Sequence, residues 1–299
     1  MREAHLRDFI AVIESGSVRA AARKLGLTQA AVSKNVSALE RQLGVPLLSR
    51  SAHGVEITAH GRVVLRRARA IDAELRHLQD ELGAMADRQP HYVSVGLSST
   101  AESLLLPTAL LRFQACEPEV VVSITGGRSA NNIAALREGR IDFAVGPATQ
   151  EPTPTDLHVE RLLSTDLAVV AREGHPLAGA ASIAELGGCS WAFAVRAPDG
   201  LPPITGIFER LGMVAPKLSA HCDSFSALVA LLMQSDVVTL TTLGSVQPYL
   251  RPGVLCRVPV AERFPPVVQQ LITLCARPMT PWAQALAAEF RRASRRHRR

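Results

Sequence analysis

The chain has 299 residues, 47% hydrophobic and 20% charged, with a formal net charge of +6. That leaves room for two or three domains and a sizeable core, in the composition of an ordinary soluble globular protein. No run reaches the roughly 18 apolar residues of a membrane helix, and MREAHLRDFI carries no apolar signal segment, so the expected location is the cytoplasm, with no membrane partner.

The charge is unevenly placed. Residues 1–90 hold 14 Lys/Arg against 10 Asp/Glu, and residues 91–290 hold 13 against 17. The last nine residues, RRASRRHRR, add six arginines and read as a solvated tail over 293–299. A basic head on an acidic body suits a nucleic-acid reader joined to a domain with another task. The cysteines Cys116, Cys189, Cys222, Cys256 and Cys275 are odd in number and widely spaced. They form no zinc pattern and read as buried free thiols, with no metal or cofactor expected.

In chain order, Leu6, Phe9, Ile10 and Ile13 make the apolar face of a first helix ending near Gly16. Residues 17–43 then read as two helices joined by a tight turn. Ala20, Ala21, Ala22 and Leu25 mark the first, Gly26 stops it, and Thr28 caps the second. Val32, Val36, Leu39 and Leu43 form the buried face of that second helix. Ala30, Lys34, Ser37 and Arg41 point the other way, with Gln29 and Ser33 on the flank. A short, polar or basic helix face fits a major groove, where it meets base edges and phosphates without bulk. A helix–Gly–helix pair also occurs as plain core packing, so the flanks carry weight.

After Gly44, Pro46 blocks further helix. PLLSR and VEIT then read as a short hairpin, a wing, with Arg50 at its edge for a phosphate or minor groove. Thr58 caps a long helix to about residue 87. Its apolar positions Val64, Ala68, Ile71, Leu75, Leu78, Leu82 and Met85 alternate in steps of four and three. One helix cannot bury such a seam alone, so residues 59–87 predict a two-stranded coiled coil. A dimer then implies an operator of roughly two-fold symmetry.

Gln89-Pro90 ends that helix. Strands follow at 92–97, 120–125, 142–146, 167–171, 191–195, 218–222, 237–241, 255–259 and 268–276. Helices fall near 103–115, through Leu136, near 204–211, 225–234 and 282–292. The alternation predicts an α/β body with largely parallel sheets in two lobes. The boundaries read as 1–58 for the DNA-binding domain, 59–89 for the dimerisation helix and 90–292 for the body. Lobe I takes about 90–162 and 265–292, and lobe II about 163–264. Ligands of such sheets collect at strand carboxyl ends beside helix N-termini. That rule selects Ser98, Ser99, Thr100, Gly126, Gly146 and Pro147 in lobe I, and Arg196, Thr241 and Thr242 in lobe II. The Ser/Thr pairs equally serve as helix caps.

The run A-A-x-x-L-x-L-T-Q-x-A-V-S-x-x-V-x-x-L-E-x-x-L-G-V-x-L-L-x-R, with G-V-x-I-T-x-x-G after it, resembles the winged helix-turn-helix of LysR-type transcriptional regulators. Ala30 stands where the family usually has proline, and Leu48 where it has phenylalanine. The resemblance covers the whole chain. It implies a type 2 periplasmic-binding-protein-like effector domain, contacts to promoter DNA through Gln29, Ala30, Ser33, Lys34, Ser37 and Arg50, and a tetramer that bends DNA. The second-lobe run C-x-W-A-F-x-x-R-A-P-x-G is similar to LysR-type regulators of aromatic sulfonate degradation, which implies a small organic acid, an aromatic one, as effector. Two alternatives stand beside this one. The first is an enzyme on the α/β body, for which G-x-S-x-G, a Gly-rich phosphate loop and H-x-x-x-H are all missing. The second is an architectural DNA binder without ligand.

Overall fold

A computed structural model describes residues 2–51, 54–86, 91–147, 153–194, 208–209, 212, 217–250 and 253–297. The chain divides into two compact units, 1–91 with 134–141 and 92–133 with 142–299.

The first unit follows its local sequence signals closely. Helices α1 (Glu3–Ser15), α2 (Val18–Leu25) and α3 (Gln29–Leu43) precede a hairpin of β1 (Leu48–Ser51) and β2 (Gly54–Ile57). Gly26 ends α2 at φ +67°, a conformation that costs glycine nothing. The side chains of Ser17 and Thr28 accept the backbone N–H groups of Ala20 and Ala31, each at 3.2 Å, and so start α2 and α3. Phe9, Val12, Ala21, Val32, Leu39 and Leu47 meet in one core. Helix α4 (Ala59–Ala86) follows, and Ala68 from its first half joins that core.

The second unit carries two five-stranded sheets. Lobe I orders them β4 (Val120–Gly126), β3 (His91–Leu97), β5 (Phe143–Gly146), β12 (Val267–Leu274) and β6 (Leu157–Thr165). Lobe II orders them β11 (Leu255–Arg257), β7 (Leu167–Arg172), β10 (Val237–Thr242), β8 (Ser190–Phe193) and β9 (Lys217–His221). The helices are α5 (Ser99–Leu104), α6 (Leu106–Cys116), α7 (Ser129–Arg137), α8 (Phe225–Gln234), α9 (Leu243–Leu250) and α10 (Pro281–Arg295). In lobe I, Phe143 and Phe290 meet edge to face at 5.9 Å. In lobe II, Trp191 stacks on Phe193 at 6.0 Å and meets Phe208 at 5.5 Å. No helix among the described residues is long and apolar enough to cross a membrane.

Several details depart from the sequence reading, the unexpected helix α9 among them. The sheets are mixed rather than largely parallel: β12 runs antiparallel to β5 and β6, and β7 antiparallel to β10 and β11. The chain leaves lobe I along β6 and re-enters it along β12, and strands that carry such crossings oppose their neighbours. No strand is expected at β6, LHVERLLST, because Glu160 and Arg161 break its apolar run; it lies at a sheet edge, where Glu160 pairs with Arg291 of α10. The helix expected near 103–115 is two helices that break at Leu105, with Pro107 in the first turn of α6. Finally, α10 continues to Arg295 with Ala293 and Ser294 buried, so the residues from 293 are not simply a solvated tail. The expected helix at 204–211 lies almost wholly outside the described residues.

Candidate DNA interface and effector cleft

On α3, Gln29, Ala30, Ser33, Lys34 and Ser37 are all exposed, on the side away from buried Val32, Val36 and Leu39. None of their side chains is tied to another described residue by a hydrogen bond, which leaves them open to bases and phosphates. The orientation of α3 is set from behind. Asn35 donates its amide to the Asp8 carboxylate at 2.7 Å, and Asp8, on α1, is 3% exposed. A buried carboxylate that lost this donor would be left unpaired, so the bond resists rotation of α3. Arg50 lies in β1, opposite Val55 of β2. On α4, Ile71, Leu78 and Leu82 stay exposed, whereas Ala68 is buried. Three large apolar side chains on one seam leave apolar surface for another chain to cover.

Within the second unit the lobes meet where α5 packs on α9. Thr100 of α5 shares a hydrogen bond with Thr242 of β10 at 2.7 Å, Oγ1 to Oγ1. Thr242 and Thr241 each lie within bonding reach of Ser245 Oγ, at 3.0 and 3.2 Å. Gly244 donates its N–H to Thr165 Oγ1 at 3.1 Å, and a Cβ there would fall 2.7 Å from Leu104 Cδ1. Only glycine lets α9 approach α5 this closely.

The expected lobe I residues lie at the carboxyl ends of β3, β4 and β5. Ser98 caps α5 by accepting Ala101 N–H at 3.3 Å and donates to Gln269 Oε1 at 2.7 Å. Its hydroxyl is therefore an internal brace. Ser99 begins α5, half-buried, with its hydroxyl uncommitted among the described residues. Gly146 ends β5, and a Cβ there would meet Ser129 Oγ at 3.1 Å and Ser98 Cβ at 3.3 Å; Pro147 follows it. Gly126 ends β4 beside Glu102, whose Oε1 lies 2.4 Å from where a Cβ would stand. Burial pushes the Glu102 carboxyl above its ordinary range. Arg196 lies outside the described residues.

Gln269, Ser245, Thr165, Gly244 and Glu102 escaped the sequence reading. The pair Gln269-Gln270 inside the apolar run VVQQLITL was a usable signal, since a polar residue in a central strand needs a reason. Thr165 offered none. The thiols differ from expectation too: Cys116 and Cys275 are exposed, and Cys189, Cys222 and Cys256 are only part-buried. Burial raises the pKa of those three, with help from Asp236, Asp223 and Glu173 respectively.

The family model of the LysR substrate binding domain matches residues 87–295. That of the bacterial regulatory helix-turn-helix protein, lysR family, matches residues 4–62. The chain is 30% identical over 262 residues to the HTH-type transcriptional regulator PcaQ of Agrobacterium fabrum, covering 86% of this chain and 83% of that protein. It is 28% identical over 286 residues to the SDS degradation transcriptional activation protein of a Pseudomonas species, covering 94% and 92%. The crystal structure of CbnR, a LysR family transcriptional regulator, matches with a TM-score of 0.70 at 22% identity, over 98% of this chain and 99% of that one. Full-length CbnR complexed with its target DNA matches with 0.68 at 24% identity, over 98% and 100%. The two solved structures share the fold.

Proposed function

Because the chain belongs to the LysR family of transcriptional regulators, we propose that it reads promoter DNA with α3 and the wing while a small organic acid between the lobes sets the response. Gln29, Ala30, Ser33, Lys34 and Ser37 enter the major groove, and Arg50 reaches a phosphate or the minor groove. Two protomers join along 59–87, which presents two recognition helices to a two-fold operator, and pairs of dimers form the tetramer. The protein works with the chromosome in the cytoplasm. The family is one of regulators, so the enzyme alternative ends here, and a substrate-binding body argues against a ligand-free architectural role.

The observation that carries the mechanism is the Thr100–Thr242 bond across the lobes. A ligand whose polar groups replace that bond favours a different lobe closure, and only such a differential preference shifts an equilibrium. Ser99, Thr100, Gly126, Gly146, Pro147, Thr241 and Thr242 line the proposed seat, with Ser98 bracing it and Arg196 contributing from lobe II. The test is a thermal-shift screen of the full chain against aromatic and aliphatic acids. A true effector at 100 times its dissociation constant adds about 2.7 kcal/mol. A broad acid panel without a single shift refutes the organic-acid reading.

A further inference from the structure

The wing is too small to hold its own place. Four residues per strand make a hairpin that is marginal by itself, so its position depends on what grips its base. That base is residues 46–48, and it is held from two sides. From α4, the Thr58 hydroxyl donates to Pro46 O at 2.8 Å and accepts Gly61 N–H at 2.9 Å, while Thr58 N–H donates to Leu47 O at 3.0 Å. Gly61 completes that grip: a Cβ there would stand 2.2 Å from Leu47 O.

From α3 the polar grip is one side chain. Glu40 Oε1 accepts both Leu47 N–H, at 2.8 Å, and Leu48 N–H, at 3.1 Å. Leu47 also packs in one core with Val32 and Leu39 of α3, but apolar packing has no direction, and no other side chain of α3 is hydrogen-bonded to this strand entry among the described residues. Charge-assisted bonds of this kind are short and directional. We propose that Glu40 is a positioning residue for DNA reading: its carboxylate ties the recognition helix to the wing entry at Leu47 and Leu48, so that groove insertion by α3 fixes where Arg50 lands.

This rests on the reading that the wing touches DNA. The test uses the full-length protein and a duplex that the wild type selects from a randomised library. Hydroxyl-radical footprints report the wing, and guanine methylation interference reports α3. Glu40→Met keeps the helix and the stem but removes the acceptor. It is expected to lose the flanking minor-groove protection and retain the major-groove interference. Affinity falls on the order of tenfold, and the salt slope drops by about one per wing. Glu40→Gln, which keeps a carbonyl acceptor, restores the wild-type pattern. Should the Met chain fail to fold, Glu40→Asp, one methylene shorter, gives the same split. An unchanged footprint in the Met and Asp variants overturns the inference, as does a parallel loss of wing and helix contacts or a Gln chain that stays defective. A wild-type footprint without flanking protection overturns the wing reading itself, and shows it before any variant is made.

Discussion

Replacing Gly244 by alanine drives a methyl group into the joint between the lobes. Its Cβ would lie 2.7 Å from Leu104 Cδ1, 2.9 Å from Thr100 Cγ2 and 3.2 Å from Thr165 Oγ1. Leu104 can turn aside, but Thr100 is 2% exposed and β-branched, so it has few rotamers to escape into. Overpacking of this kind costs about 2 kcal/mol. Alanine in the first turn of α9 returns up to about 1 kcal/mol through helix propensity. The net is a loss of about 1 kcal/mol, or roughly 2–4 °C in the midpoint of a domain of this size. The cheapest relief is for α9 to back away from α5, and that breaks the Thr100–Thr242 bond. A double-mutant cycle reads this directly. Thr100→Val costs about 1 kcal/mol in the wild type and little in the Gly244→Ala chain, a coupling of about 1 kcal/mol. Calorimetry of the full-length protein, following the effector-domain transition, supplies the numbers. Additive costs, or a Gly244→Ala chain that melts no lower than wild type, would refute the claim that this glycine sets the lobe spacing.

Three further outcomes are expected. Lys34→Ala weakens operator binding and lowers the salt slope by about one if Lys34 meets a phosphate; a titration in which affinity and slope both stay put removes it from the interface. Leu78→Glu leaves the fold of the protomer intact, because this side chain is exposed, but places a charge in the α4 seam; sedimentation that still finds an unweakened dimer would sink the coiled coil. Glu102 binds its proton more tightly folded than unfolded, so its contribution is complete below the ordinary value of 4.5 and is lost as pH rises through the higher folded value. Glu102→Gln should therefore gain stability over wild type at neutral pH and lose that advantage below pH 4.5. A difference that does not change with pH would show that burial does not perturb this carboxyl.

Features that depend on a few neighbouring residues are readable from the amino-acid order alone. The helices of the DNA-binding unit were legible because caps and apolar spacing are local: Thr28 caps α3 through a neighbour three residues on, and Gly26 ends α2 alone. The outward set on α3 and the α4 seam follow from the same periodicity. The other roles arise only from contacts between distant segments. Ser98 is a brace because Gln269 lies 171 residues away in sequence, and Thr100 is a joint because Thr242 lies 142 away. Gly244 reads as an unremarked residue beyond a strand until the helix Leu243–Leu250 brings Leu104 and Thr165 up against it. Strand β6, its apolar run broken by Glu160 and Arg161, joins a sheet only because β12 returns beside it. Such roles belong to pairs of distant residues, and no pattern within either segment names the partner that the folded chain brings to it.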